Sequence, residues 1–174
     1  MRYPLDCLSE SSSDKTDSYH KYGNFYDMAI TLLFLLNDNK PISVCELGVS
    51  KYGRGSGHAF CEMPYVERFV GVDKNATEIP FNDKGVFLQG DAYHFEMLRR
   101  VEKHAPFHLI IDDCSHRQVD WICFIDGYAQ FCATPSFFVI EDCHSPAKIP
   151  NDFLIIRDNG ANMNANIAAR LKLR

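Results

Sequence analysis

Apolar residues fall along this chain in two alternating patterns. Residues 42–48 form a short run, Ile42-Ser43-Val44-Cys45-Glu46-Leu47-Gly48, rich in apolar and β-branched side chains and stopped by glycine. Such a run predicts a strand buried on both faces. Runs of the same kind stand at 68–73, 86–91, 107–111, 136–140 and 153–156, with a seventh candidate at 168–173. Between them lie helical stretches at 26–36, after the glycines at 53–57, at 91–103 and at 117–131. Asp91 is expected to cap the third of these. The stretch 26–36 is apolar nearly all round, which predicts a helix covered on several sides. In 117–131, Trp121, Phe124, Ile125 and Tyr128 recur at helical spacing and are expected in the core. Strands alternating with helices imply βαβ units and a mostly parallel sheet.

Composition narrows the class. At 174 residues with 46% apolar and 24% charged side chains, the chain suits one globular domain with a substantial core. Its net charge of −5 disfavours a protein whose main work is gripping nucleic-acid backbone. The seven cysteines are odd in number and show no Cys-x-x-Cys pair. That usage fits a reduced, cytoplasmic chain without structural zinc. No apolar run approaches the ~20 residues of a spanning helix, so no membrane role is expected.

The chemistry lies at the ends of the strands. Parallel sheets bind ligands at the carboxyl ends of their strands. Here five successive predicted strands end in Glu46-Leu47-Gly48, Asp73, Asp91, Asp112-Asp113 and Glu141-Asp142. Two acidic doublets brought together would repel without a cation, and a hard divalent ion such as Mg²⁺ suits an oxygen-rich site. The segment from Glu46 to Gly57 includes Gly48, Gly53, Gly55 and Gly57 between a strand and a helix. Glycines there let backbone approach a ligand closely. The Gly-Lys-Ser/Thr ending of an ATP-binding loop is missing, which disfavours an ATPase. Asp73 follows Gly48 by 25 residues, near the spacing at which an acid accepts hydrogen bonds from ribose hydroxyls. Both NAD and S-adenosylmethionine carry such a ribose, and the glutamate-x-glycine pattern favours the latter.

Two further motifs carry a resemblance. They are Ile110-Ile111-Asp112-Asp113-Cys114-Ser115-His116 and Val139-Ile140-Glu141-Asp142-Cys143-His144. Asp113 and Glu141 stand 28 residues apart. In these segments the chain resembles class I S-adenosylmethionine-dependent methyltransferases. More narrowly, it resembles the metal-dependent macrolide sugar O-methyltransferases and their cephalosporin-hydroxylase-like relatives. Ser13-Asp14-Lys15, His20, Tyr22 and Tyr26 match that family's Thr-Asp-Lys, His and Tyr pattern. Cys114 departs from it, standing where the family has glycine.

The resemblance implies an α/β, Rossmann-like class I methyltransferase fold. It would have a mostly parallel six- to seven-stranded sheet flanked by helices. A single domain over 1–174 is expected, with a lid segment and helix at 1–38 and the core at 39–174. It implies S-adenosyl-L-methionine as cofactor, held by Glu46, Gly48, Gly53, Asp73, Asp91, Ala92, Asp112 and Tyr22. Asp113, Glu141 and Asp142 would bind Mg. His116 would be the general base, with His144 second in line or lining the acceptor pocket. The expected partner is a small-molecule acceptor with sugar- or diol-like hydroxyls, and a homo-oligomer stays open. The alternatives are an RNA ribose 2′-O-methyltransferase, a non-catalytic S-adenosylmethionine-binding module and a lyase acting on the cofactor. The lysine-aspartate-lysine-glutamate tetrad usual in the RNA enzymes cannot be assembled here.

Overall fold

The computed structural model describes residues 15, 22–49, 55–75, 82–145, 148–157 and 166–173. Its elements run α1 (Gly23–Leu36), β1 (Ile42–Leu47), α2 (Ser56–Glu62), β2 (Val66–Asp73), β3 (Gly85–Gln89) and α3 (Phe95–Glu102). They continue with β4 (Phe107–Asp112), α4 (Gln118–Tyr128), a 3₁₀ turn (Ala129–Phe131), β5 (Cys132–Ile140), β6 (Leu154–Arg157) and β7 (Asn166–Lys172). One seven-stranded sheet has the order β3-β2-β1-β4-β5-β7-β6. The strands from β3 to β5 pair in parallel, and β7 runs antiparallel to both β5 and β6. The described elements thus form the expected mostly parallel sheet with flanking helices.

All six residues of β1 are buried, as its apolar run requires. Side chains alternate across the strand, so one set meets each face of the sheet. Val44 packs on one side with Tyr26, Ile30, Phe60 and Phe69. Cys45 and Leu47 pack on the other with Trp121, Phe124, Tyr128 and Phe138. The Phe124 and Phe138 rings stack with centroids 4.2 Å apart. Of the four helical positions expected in the core, Ile125 is only partly buried.

Two expectations need correction. The helix α1 buries one stripe only, formed by Phe25, Tyr26, Ala29, Ile30 and Leu33, while Met28, Leu35 and Leu36 are exposed. The sheet offers it a single apolar face, and no second layer of described residues covers the far side. Asp91 does not cap α3. That helix starts four residues later, and the ring of His94 accepts from the Glu96 amide at 3.4 Å. Asp91 instead folds back onto the Tyr93 amide at 3.1 Å, a local turn that short acidic side chains make readily.

The sheet order reverses at β1, whose neighbours are β2 and β4. Such a switch point opens a crevice beyond the strand ends. Backbone bonds carry the ladders one residue further there. The Gly48 amide donates to Val72 at 2.8 Å, Asp113 to Leu47 at 2.9 Å, Glu141 to Asp112 at 2.9 Å and Gly90 to Asp73 at 2.9 Å. These bonds hold the acids in a fixed row along one sheet edge.

Candidate active site

A cavity of about 290 Å³ lies at this switch point. Gly48, Asp73, Asp91, Ala92 and Asp113 line it, with Tyr93, Cys114 and Arg117 among the other walls. Gly48 takes a φ of +90° that favours glycine. Asp73 accepts from the Asn75 amide at 2.7 Å. Asp91 is held below its usual pKa, first by the bond from the Tyr93 backbone. Burial pushes the Cys114 thiol far up, so it stands there as a neutral group.

Next to Asp113 is a second constellation. Ligand atoms of Asp113, His116 and Asp142 all lie within 4.8 Å of one another. His116 Nε2 is 3.8 Å from Asp142 Oδ2. Both His116 (φ 54°) and Asp142 (φ 49°) occupy the left-handed backbone region. A non-glycine residue held there costs ~1–3 kcal/mol, and such strain tends to collect at functional sites. The turn at Asp142 also separates the two members of the acidic doublet. Asp142 faces His116 and accepts from the Tyr22 hydroxyl at 2.7 Å, while Glu141 points into the core.

In the core, Glu141 meets a lysine. Lys15 is 1% exposed, and its Nζ lies 2.7 Å from Asp113 Oδ2, 2.8 and 2.9 Å from the two Glu141 oxygens, and 3.3 Å from Glu46 Oε1. The Tyr26 hydroxyl also donates to Glu141. Burial alone would push the Lys15 ammonium down, but Asp113, Glu141 and Glu46 hold it well above its usual value. Burial, and next the charge of Asp113, push Glu141 well up. Glu46, buried and accepting from Ser56, is pushed up to about 7 mainly by burial.

The structure therefore brings Gly48, Asp73, Asp91, Ala92 and Asp113 together around one cavity, and gathers Asp113, His116 and Asp142 beside it. It does not bring Glu46 or Asp112 to the cavity wall. Both expected cofactor contacts are buried, at 0% and 2% exposure. Tyr22 likewise sits on Asp142 rather than on that wall. Glu141 is turned to Lys15 and Tyr26 instead of the cluster of three. His144 is exposed, its ring centroid 6.3 Å from that of His116. Gly53, and the lid expected over 1–38 apart from Lys15 and the stretch from Tyr22, lie outside the described residues. Sequence reasoning missed the part Lys15 plays. Its one signal was its place in the Ser13-Asp14-Lys15 motif.

The comparisons bear on the fold. The MycE methyltransferase of the mycinamycin biosynthetic pathway, solved with Mg and SAH, superposes with a TM-score of 0.73 and 16% identity, over 99% of this chain and 55% of that one. This chain has a methyltransferase fold. The O-methyltransferase from Bacillus cereus, solved with SAH, shares that fold at a TM-score of 0.58 and 13% identity, over 99% of this chain and 92% of that one. In sequence, 111 residues are 32% identical to 8-demethyl-8-(2-methoxy-alpha-L-rhamnosyl)-tetracenomycin-C 3′-O-methyltransferase of Streptomyces olivaceus. They cover 60% of this chain and 27% of that protein, so the chain spans about a quarter of that relative's length. No family profile matches the chain. Among the described residues of this methyltransferase fold, no helix is long and apolar enough to cross a membrane.

Asp112, under the cavity floor, offers a test of its burial. Tyr93 donates to Asp112 Oδ1 at 2.7 Å, while Oδ2 is buried without a hydrogen-bond partner among the described residues. Burial pushes its pKa up to about 7. A carboxyl raised in the folded state stabilises the fold fully below its unfolded value of ~3.9, and that stability is lost as pH rises through 7. Asp112→Asn, which stays neutral, should therefore gain on the parent between pH 5 and pH 8 by roughly 2–4 kcal/mol. Urea unfolding of both proteins at the two pH values measures this. Parallel stabilities would mean that Asp112 is ionised in the fold.

Proposed function

We propose that the protein is a Mg²⁺-dependent O-methyltransferase that moves a methyl group from S-adenosyl-L-methionine to a hydroxyl of a small sugar- or diol-like acceptor. One observation carries this reading. Asp113 belongs both to the cavity at the switch point and to the cluster with His116 and Asp142. A cofactor in that cavity would thus adjoin any ion and acceptor held by the cluster.

The residues present suit both groups. Asp73 and Asp91, on neighbouring strand ends, offer acceptors for ribose hydroxyls and for the adenine end, where Ala92 adds a small wall. Gly48 leaves room for the methionine part, with Glu46 buried beneath it. Two donors on one Mg²⁺ or Ca²⁺ at ~2.0–2.6 Å lie no more than about 4–5 Å apart, a spacing the cluster meets. Asp113 and Asp142, joined by Glu141, would hold the ion, which as a Lewis acid would lower the pKa of the acceptor hydroxyl.

The chain's own residues then do the remaining work. His116 Nε2 takes the hydroxyl proton as general base. Asp142, fixed by the Tyr22 hydroxyl, holds the cluster's shape beside it. A cofactor held against the cavity wall would supply an electrophilic methyl to the acceptor oxygen and leave as S-adenosylhomocysteine. The chain's part is to bring the two together, and proximity would supply much of the rate. Free thiols at every described cysteine support a reducing, cytoplasmic setting.

The test is methyl transfer to a panel of glycosides and diols, followed by mass spectrometry. Turnover is expected with Mg²⁺ and loss of at least ~10²-fold in excess EDTA. Full turnover in EDTA would remove the metal from the reading. Methylation of RNA alone would replace the acceptor class.

A further inference from the structure

Lys15 is 98 residues from Asp113 and 126 from Glu141 in sequence, yet its ammonium sits between their carboxylates and reaches Glu46 as well. It is almost wholly buried, and so are Glu46 and Glu141. An ammonium so placed does for these acids what a metal ion would do: it cancels their repulsion and spans their oxygens. Asp113 is the shared member, belonging both to this ion-paired core and to the cluster with His116 and Asp142.

We propose that the Lys15 ammonium is an internal cation that competes with the divalent ion for Asp113 and Glu141, so that metal loading must displace it. The proposal rests on the Mg²⁺-dependent reading above and adds to it how the site is regulated. An ion bound to Asp113 Oδ2 at ~2.0–2.6 Å would stand close to an Nζ that is itself 2.7 Å from the same oxygen. Two cations that close, in a site this dry, repel strongly. As long as Lys15 stays in place, Glu141 faces it and not the cluster. Once displaced, Lys15 yields Glu141 to the ion. The resting site is thereby preassembled but binds metal less tightly than its carboxylates alone would.

Calorimetry with Mn²⁺ alone, without cofactor or acceptor, tests the idea on the parent protein and on Lys15→Met. The variant should bind Mn²⁺ at least about tenfold more tightly. Equal or weaker binding by Lys15→Met, with clear binding by the parent, would overturn the competition and leave the metal-dependent reading standing. Failure of both proteins to bind Mn²⁺ would overturn both. Lys15→Met leaves buried acids unpaired and can fail to fold, so a second measurement uses the parent protein. The slowly exchanging Lys15 ammonium should give its own ¹H–¹⁵N signal, assigned by its absence in Lys15→Arg. Titration with Mg²⁺ should abolish or strongly shift that signal. An unchanged signal at Mg²⁺ saturation would overturn the proposal whatever the variant does.

Discussion

Replacing His116 with alanine is expected to lower kcat by roughly 10²–10⁴-fold, the range for losing a positioned base. Affinity for S-adenosylhomocysteine should stay within about twofold, because the cavity wall does not include this ring. On the proposed mechanism the ring stands where a base is needed. Its Nε2 is 3.8 Å from Asp142 Oδ2, too far for a hydrogen bond yet within the cluster. The side chain keeps 32% exposure, which leaves a path for a proton to reach water. Its left-handed backbone, at a φ of 54°, is the kind of local strain that a fold keeps where function requires it. Mn²⁺ affinity is the measurement that divides two roles. If it moves only a few-fold while kcat collapses, His116 is the base. If it is lost, His116 is a ligand and His144, with its ring 6.3 Å away, is the next base to test. Unchanged turnover would mean that no side-chain base is needed at this position.

The strands were legible because their apolar runs are short, unbroken and punctuated by glycine or acid. β1 begins at Ile42 as its run does, and β4 begins at Phe107. Edges drifted where the apolar run is interrupted. β5 starts at Cys132 rather than 136, since Thr134 and Pro135 carry no apolar signal. The length of α4 was overread for the same reason in reverse. α4 ends at Tyr128 and passes into a 3₁₀ turn, although the apolar spacing runs on to Phe131. At the site, the row of strand-end acids was visible because parallel strands put their carboxyl ends on one edge. The division of labour among those acids was not visible. Whether Glu141 faces the cluster or the core depends on the left-handed turn at Asp142 and on a lysine far away in sequence. Neither leaves a periodic trace. The burial of Glu46 and Asp112 was hidden likewise, because a strand-end acid reads the same whether it faces a cavity or lies under it.

Gly48→Ala should be the most damaging small substitution in the fold. A Cβ built there would lie 2.1 Å from the Asp113 carbonyl oxygen, 2.6 Å from its carbonyl carbon and 3.0 Å from the Cys114 Cα. Those are backbone atoms of the neighbouring strand end and cannot swing aside as a side chain would. The φ of +90° adds strain for any residue with a Cβ. We expect a loss of roughly 3 kcal/mol or more, or ~6–12 °C in Tm for a chain of this size. The damage should also reach chemistry. The atoms that must move belong to Asp113, so Mn²⁺ affinity should fall although Gly48 offers no ligand. Gly127→Ala is the control. Its Cβ would meet only the tip of Leu98, at 3.1 and 3.3 Å, and it lies within a helix where alanine is favoured by ~1 kcal/mol. That variant should melt within about 2–4 °C of the parent and bind Mn²⁺ normally. A Gly48→Ala protein with parental Tm and Mn²⁺ affinity would show that the ends of β1 and β4 part easily. The close packing at the switch point would then not be what fixes Asp113.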